Sequence, residues 1–133
     1  GVYAPSGNGP RHHLFVTDES GFCAVAALLD ELDPDDAATV IAETVDEDHT
    51  IPFPGARTNV MWHYRGDAAP GTTRGLYDLA VQVAGGAAEH GAIATAFGAG
   101  ESRVVSRIRK YLRHELGMPA AHVSMTGYWR RRH

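Results

Sequence analysis

Thr17-Asp18-Glu19-Ser20-Gly21 closes the first apolar stretch of this chain and opens a helical one. An oxygen-rich run at such a junction either caps the helix or meets the polar edge of a ligand. A second junction, Phe97-Gly98-Ala99-Gly100-Glu101-Ser102, carries two glycines that let backbone approach a ligand closely. Read as a glycine turn, it would present the following helix's unsatisfied N–H groups and positive dipole to an anion. A third, Trp62-His63-Tyr64-Arg65-Gly66, offers a guanidinium that can fork onto a phosphate and rings that can stack on a base. The chain closes through Gly127-Tyr128-Trp129-Arg130, which can place a flat ring beside whatever binds. Each junction alone also reads as an ordinary cap, tight turn or surface arginine. Together they point toward a redox nucleotide site.

The elements that must position these residues follow from periodicity. His13–Thr17 reads as a short buried strand, and Phe22, Val25, Ala26, Leu29 and Leu32 then recur at helical spacing. Asp18 or Ser20 is the cap of that helix and Pro34 its stop. Thr39–Val45 and Thr58–Tyr64 are strands, joined by a proline-containing link without helical periodicity. Thr72 or Thr73 can cap a helix whose Leu76, Leu79, Ala80 and Val83 share one face, with Gly85-Gly86 ending it. Ala92–Phe97 is a fourth strand. The helix after it has Val104, Ile108, Tyr111 and Leu112 as its apolar face, Gly117 as a left-handed terminator and Pro119 beyond. His122–Thr126 is the fifth strand. Strands alternating with helices predict an α/β fold: doubly wound, with a mostly parallel five-stranded sheet, helices on both faces and any ligand at the strands' carboxyl ends.

The chain's 133 residues make one domain, able to bury roughly two-thirds of its unfolded surface. Hydrophobic residues at 44% and charged ones at 21% fit a folded globular domain. The net charge of −4 argues against nucleic acid as a partner. Acids crowd residues 30–48, and bases crowd 103–114 and 130–132, as solvated faces usually do. Cys23 is the only cysteine, so neither an internal disulfide nor a cysteine metal site is possible. Eight histidines show no metal-ligand spacing, and no metal is expected. G-x-G-x-x-G, P-loop and nucleophile-elbow patterns are all missing, so no catalytic residue is assigned. The longest apolar run, Cys23–Leu29, is far too short to span a membrane, and a cytoplasmic location is expected.

Taken in order, the junctions resemble the C-terminal half of siderophore-interacting proteins, the flavin-dependent ferric-siderophore reductases. The family's G-D-E-T-A-L-P-A-I stands here as Thr17-Asp18-Glu19-Ser20-Gly21-Phe22-Cys23-Ala24-Val25, and its W-L-H-R as Trp62-His63-Tyr64-Arg65. Its A-G-E followed by a basic helix is Ala99-Gly100-Glu101, and its G-Y-W-R is Gly127-Tyr128-Trp129-Arg130. Departures occur at Thr17, where the family has glycine, at Gly21-Phe22-Cys23, and at Tyr64.

The resemblance implies a ferredoxin-reductase-like nucleotide-binding domain over residues 12–133, behind a linker remnant at 1–11. The N-terminal flavin-binding barrel would be absent from this chain, in keeping with its opening at Gly1. NAD(P)H would deliver a hydride to FAD, held mainly by that other half, and single electrons would pass to siderophore-bound Fe(III). Thr17, Asp18, Glu19 and Ser20, with Gly100, Glu101 and Ser102, would flank the nicotinamide and pyrophosphate. Arg65 would meet the adenosine 2′-phosphate if NADPH is used, and Tyr128 or Trp129 would lie near the flavin. Neighbouring strand residues point to opposite faces, so one ring should face the cleft and the other pack on the covering helix. Arg130–His133 should be poorly anchored. A stand-alone nucleotide-binding regulator is the alternative. A phospho-acceptor receiver fails because the third strand ends without an aspartate, and an RNA-binding domain is opposed by the acidic total charge.

Overall fold

The computed structural model describes residues 9–86 and 92–132. Most of the expected linker, residues 1–8, and His133 lie outside the described residues. The described elements are β1 (His12–Thr17), α1 (Phe22–Asp30), β2 (Ala37–Thr44), β3 (Thr58–Tyr64), α2 (Gly75–Gly86), β4 (Ile93–Glu101), α3 (Ser102–Lys110) and β5 (Val123–Trp129). The sheet order is β3-β2-β1-β4-β5 and every neighbouring pair is parallel. The strand order reverses between β1 and β4, and a doubly wound sheet opens its ligand crevice at that point.

Alternation along the strands sorts side chains into two cores. Leu14, Val16, Ile41, Ile93 and Ala96 pack with Leu76 and Ala80 of α2 and Ile108 and Leu112 beyond them. Phe15, Val40 and Ala42 pack with Phe22, Val25 and Leu29 of α1 on the other face. The link from β2 to β3 is a 3-10 turn, Glu47–His49, and a loop that inserts Phe53 against Phe22 (5.6 Å, 84°). One inserted ring covers this part of the sheet where a helix is usual, which explains the missing helical periodicity.

Three expectations change in detail. β4 does not stop at Phe97; it runs through Gly98 and Gly100 to Glu101, so the expected glycine turn is strand. A Cβ on Gly98 would crowd the sulfur of Met125 on β5, and one on Gly100 would sit 2.8 Å from Asp18 Oδ2. The glycines are needed for sideways room, with neither φ positive. On α3 the buried positions are Val105 and Ile108, with Val104 only partly covered. Thr72 spends its hydroxyl on the carbonyl of Ala69 (2.5 Å), within the turn before α2.

The end of the α3 region follows expectation. A π turn, Tyr111–Glu115, continues it; Gly117 takes φ 70°, and Met118 N–H donates to Leu112 C=O (3.0 Å). Among the described residues, no helix is long and apolar enough to cross a membrane.

At the strands' amino ends, Arg11 N–H donates to Asp36 Oδ1 (2.9 Å), and His13 Nε2 lies 2.7 Å from Oδ2. The backbone bond from Arg11, then the bond to His13, hold the Asp36 carboxyl below its ordinary value. A carboxyl depressed in the folded state contributes stability above its unfolded pKa, lost as pH falls through the folded one. Stability should therefore decline below about pH 4, and Asp36→Asn should flatten that decline. Urea unfolding midpoints across the acid range check this. An identical acid limb in the variant would assign it to other carboxylates.

Candidate functional site

The ladder between β1 and β4 ends at Thr17 and Ala99, and beyond it one carboxylate ties the end of β1 to the ends of β4 and β5. Asp18 Oδ1 accepts from Ser20 N–H (2.9 Å) and from the Ser20 hydroxyl, capping the 3-10 turn Glu19–Gly21 that leads into α1. Its Oδ2 accepts from Glu101 N–H (3.0 Å) at the end of β4 and from the Trp129 indole N–H (2.9 Å) at the end of β5. Asp18 is only 5% exposed. Gly21 makes room for this arrangement, since a Cβ there would sit 2.8 Å from the carbonyl oxygen of Ala99.

Glu101 is the second internal acid. Its Oε2 accepts from Arg103 N–H (2.9 Å) and Val104 N–H (3.0 Å), so two of the donors that open α3 are already satisfied. This corrects the expectation that the helix offers open N–H groups to an anion. Its Oε1 accepts from Arg131 N–H (3.2 Å), which anchors the tail that was expected to be loose. The Ser102 hydroxyl donates to Trp129 C=O (2.9 Å).

The third cluster centres on Arg65. Its Nη1 and Nη2 donate to Glu19 Oε1 and Oε2 at 2.6 and 2.5 Å, and Nη1 lies 3.6 Å from Glu43 Oε1. The guanidinium bond to Glu19 raises Arg65 above its ordinary value against the opposing effect of burial. Partial burial pushes Glu19 upward, yet its bond to Arg65, its own backbone N–H and the guanidinium charge together hold it below the usual range. Burial raises the Glu43 carboxyl, opposed by His63, whose Nδ1 lies 3.1 Å from Oε2, and by Arg65.

A cleft of about 340 Å³ opens over these clusters, lined by Asp18, Glu19, Ser20, Arg65, Pro70 and Trp129. Five of the expected site residues therefore meet on one surface. Thr17, Gly100, Glu101 and Ser102 form its frame: Thr17 is buried with its hydroxyl on the Asp18 carbonyl (2.7 Å), and Gly100 lies against the Asp18 carboxylate. Trp129 is the ring that faces the cleft. Tyr128 does not line it, and at 46% exposed it is not packed away under a helix as expected. The ring of Trp62 packs against Phe22 (5.7 Å) and stacks with Tyr64 (6.5 Å, 9°), so it belongs to the core face.

Sequence reasoning missed Glu43, His63 and Pro70. Glu43 and His63 are direct partners in the β2–β3 register. An acid at the end of an otherwise apolar strand was the available signal, because a buried charge requires a partner. Chemically, most of the exposed lining is apolar, and its polar groups are acceptor oxygens with one guanidinium that is already paired. It suits hydroxyl and amide donors, with the indole as a flat wall.

The family model described as siderophore-interacting protein matches residues 10–132. Uncharacterized proteins of Mycobacterium tuberculosis and Mycobacterium bovis are each 33% identical over 138 residues, covering 98% of this chain and 48% of theirs. A siderophore utilization protein from T. fusca superposes with a TM-score of 0.74 at 25% identity, over 95% of this chain and 47% of that one. The siderophore-interacting protein SipS from Aeromonas hydrophila gives 0.74 at 18% identity, over 94% and 54%, a likeness of fold. The chain thus spans about half the length of the relatives it matches.

The Asp18 clamp makes a direct prediction. Asp18→Asn replaces an acceptor by an amide facing at least one N–H donor, and losing a hydrogen bond to a charged group costs about 1.5–3 kcal/mol. Urea unfolding should show a loss in that range, and Trp129→Phe should cost less because only one bond disappears. An Asp18→Asn variant as stable as the parent would mean that the strand ends are held without this carboxylate, by the β4–β5 ladder and the Ser102 and Glu101 bonds.

Proposed function

We propose, given that this chain belongs to the siderophore-interacting protein family, that it is the nicotinamide-nucleotide half of a flavin-dependent ferric-siderophore reductase. The observation that carries the reading is the convergence of Asp18, Glu19, Ser20, Arg65 and Trp129 on one cleft at the carboxyl ends of the strands. That is where doubly wound sheets bind dinucleotides. The fit is good for ribose hydroxyls, which can donate to Glu19 and to the Ser20 hydroxyl oxygen, and for a planar ring against Trp129. It is poorer for a group that needs open N–H donors at α3, since Glu101 occupies them.

The bound groups would supply the chemistry: a hydride from the nicotinamide, and single electrons from the flavin for siderophore-bound Fe(III). This chain's part is positioning. Asp18 fixes the indole of Trp129 by its N–H, so the wall of the cleft has one orientation. Pro70 lines the same cleft. Gly71, at φ 77°, brings that loop down until a Cβ would lie 3.1 Å from the indole. The flavin is assigned mainly to the other half of the protein, with the Tyr128–Trp129 end of β5 nearest to it.

The purified 133-residue chain should be colourless and inactive as a reductase, while binding NADH, NADPH or both. Nicotinamide dinucleotide added to labelled chain should shift amide resonances at residues 18–20, 65, 70 and 129. Stoichiometric yellow flavin retained through purification, or shifts confined to the outer face of α2 and α3, would overturn the reading.

A further inference from the structure

We propose that this cleft takes the dinucleotide without a 2′-phosphate, NADH over NADPH, and that Glu19 enforces the choice by holding Arg65. The inference rests on the nucleotide-binding reading above and adds the substrate class to it.

Among the described residues, Arg65 is the only cation lining the cleft, and a 2′-phosphate would need its fork. Both terminal nitrogens already lie on the Glu19 carboxylate in parallel, so the bidentate edge that a phosphate would use is taken. The Arg65 side chain is 7% exposed, whereas that of Glu19 is 39% exposed. The cleft therefore shows an incoming ligand the carboxylate, with the guanidinium behind it.

Behind Arg65 stands Glu43, 4% exposed, with only Arg65 and His63 as its ion-pair partners among the described residues. Moving Arg65 outward to meet a phosphate would strip a buried carboxylate of one of its two partners, which is strongly unfavourable. The incoming group would also bring close to two negative charges beside Glu19 and Asp18. Like charges in one site disfavour each other, and a low-dielectric floor strengthens the effect.

An unphosphorylated ribose avoids all of this. Its 2′-hydroxyl can donate to a lone pair of Glu19 that Arg65 leaves free, since an ionised carboxylate accepts about four bonds. Acidic recognition of the 2′-hydroxyl is the general device of NAD-selective sheets, where the acid commonly ends the second strand. Here the acid ending β2, Glu43, is buried, and Glu19 from the neighbouring strand end presents the exposed oxygens.

Calorimetric titration of the 133-residue chain with NADH and NADPH tests the proposal. The parent should bind NADH at least about tenfold more tightly, a difference of about 1.4 kcal/mol. Glu19→Gln removes the charge and loosens Arg65, so it should tighten NADPH binding and narrow the ratio. Adding Arg65→Ala to Glu19→Gln should abolish that gain. Circular dichroism confirms that each variant folds, and if Glu19→Gln does not, the parent's own ratio decides. Equal affinities in the parent, or a preference for NADPH, overturn the selectivity while leaving the nucleotide reading intact. A ratio unmoved by Glu19→Gln removes Glu19 as its cause. Binding of neither dinucleotide overturns both.

Discussion

Four donors on one carboxylate hold the business end of this domain together. Asp18 receives Ser20 N–H, the Ser20 hydroxyl, Glu101 N–H and the Trp129 indole, and those groups belong to the turn after β1 and to the ends of β4 and β5. A parallel sheet gives no such cross-links beyond its last ladder bond, so strand ends normally diverge. Placing a buried charge there is costly unless every acceptor site is used, and here both oxygens are used. The neighbouring glycines follow from that demand. Gly100 has no Cβ because the Asp18 carboxylate fills the space, and Gly21 has none because Ala99 does.

A domain stabilised in this way turns its acids inward at the place where a nucleotide-binding site usually turns donors outward. Glu101 satisfies the first N–H groups of α3 from within the chain, a role that a bound phosphate fills in glycine-rich dinucleotide folds. Glu19 does something similar for Arg65, and Glu43 supports it from below. The resulting surface is pre-satisfied and acidic. Ligand groups that donate hydrogen bonds gain from it, and groups that carry charge must displace a bond already made.

The sheet was legible because parallel strands buried on both faces read as near-continuous apolar runs, and Leu14–Val16 and Val40–Ala42 do so. Gly117 was legible as well, since a left-handed residue after an amphipathic helix has few alternatives to glycine. The glycines of β4 misled for a physical reason: glycine marks positive φ and close packing alike, and the sequence does not distinguish them. The same ambiguity covers Arg65. Its type announces a bidentate acceptor, but whether that acceptor is a ligand or Glu19 depends on strand ends that lie 46 residues apart. Glu43 and His63 became visible only through the β2–β3 register, which their separation of 20 residues does not reveal.

The motifs by which the family is recognised turn out to bind one another. Asp18 from the first motif holds Glu101 from the third and Trp129 from the last; Ser102 holds the carbonyl of Trp129, and Glu101 holds the backbone of Arg131. These contacts are internal, so the motif residues testify first to a frame and only then to a ligand. The residues left over to meet a ligand are few: Glu19, Ser20, Pro70, the face of Trp129 and whatever Glu19 leaves of Arg65. Two of the departures from the family pattern lie in the frame's tightest part, where Thr17 is fully buried and Gly21 touches Ala99. Substitutions there repack the floor of the cleft without changing the groups it displays. The motif residues thus divide by role: Asp18, Glu101 and Ser102 tie the strand ends together, while Glu19, Ser20 and Arg65 line the cleft beside Trp129.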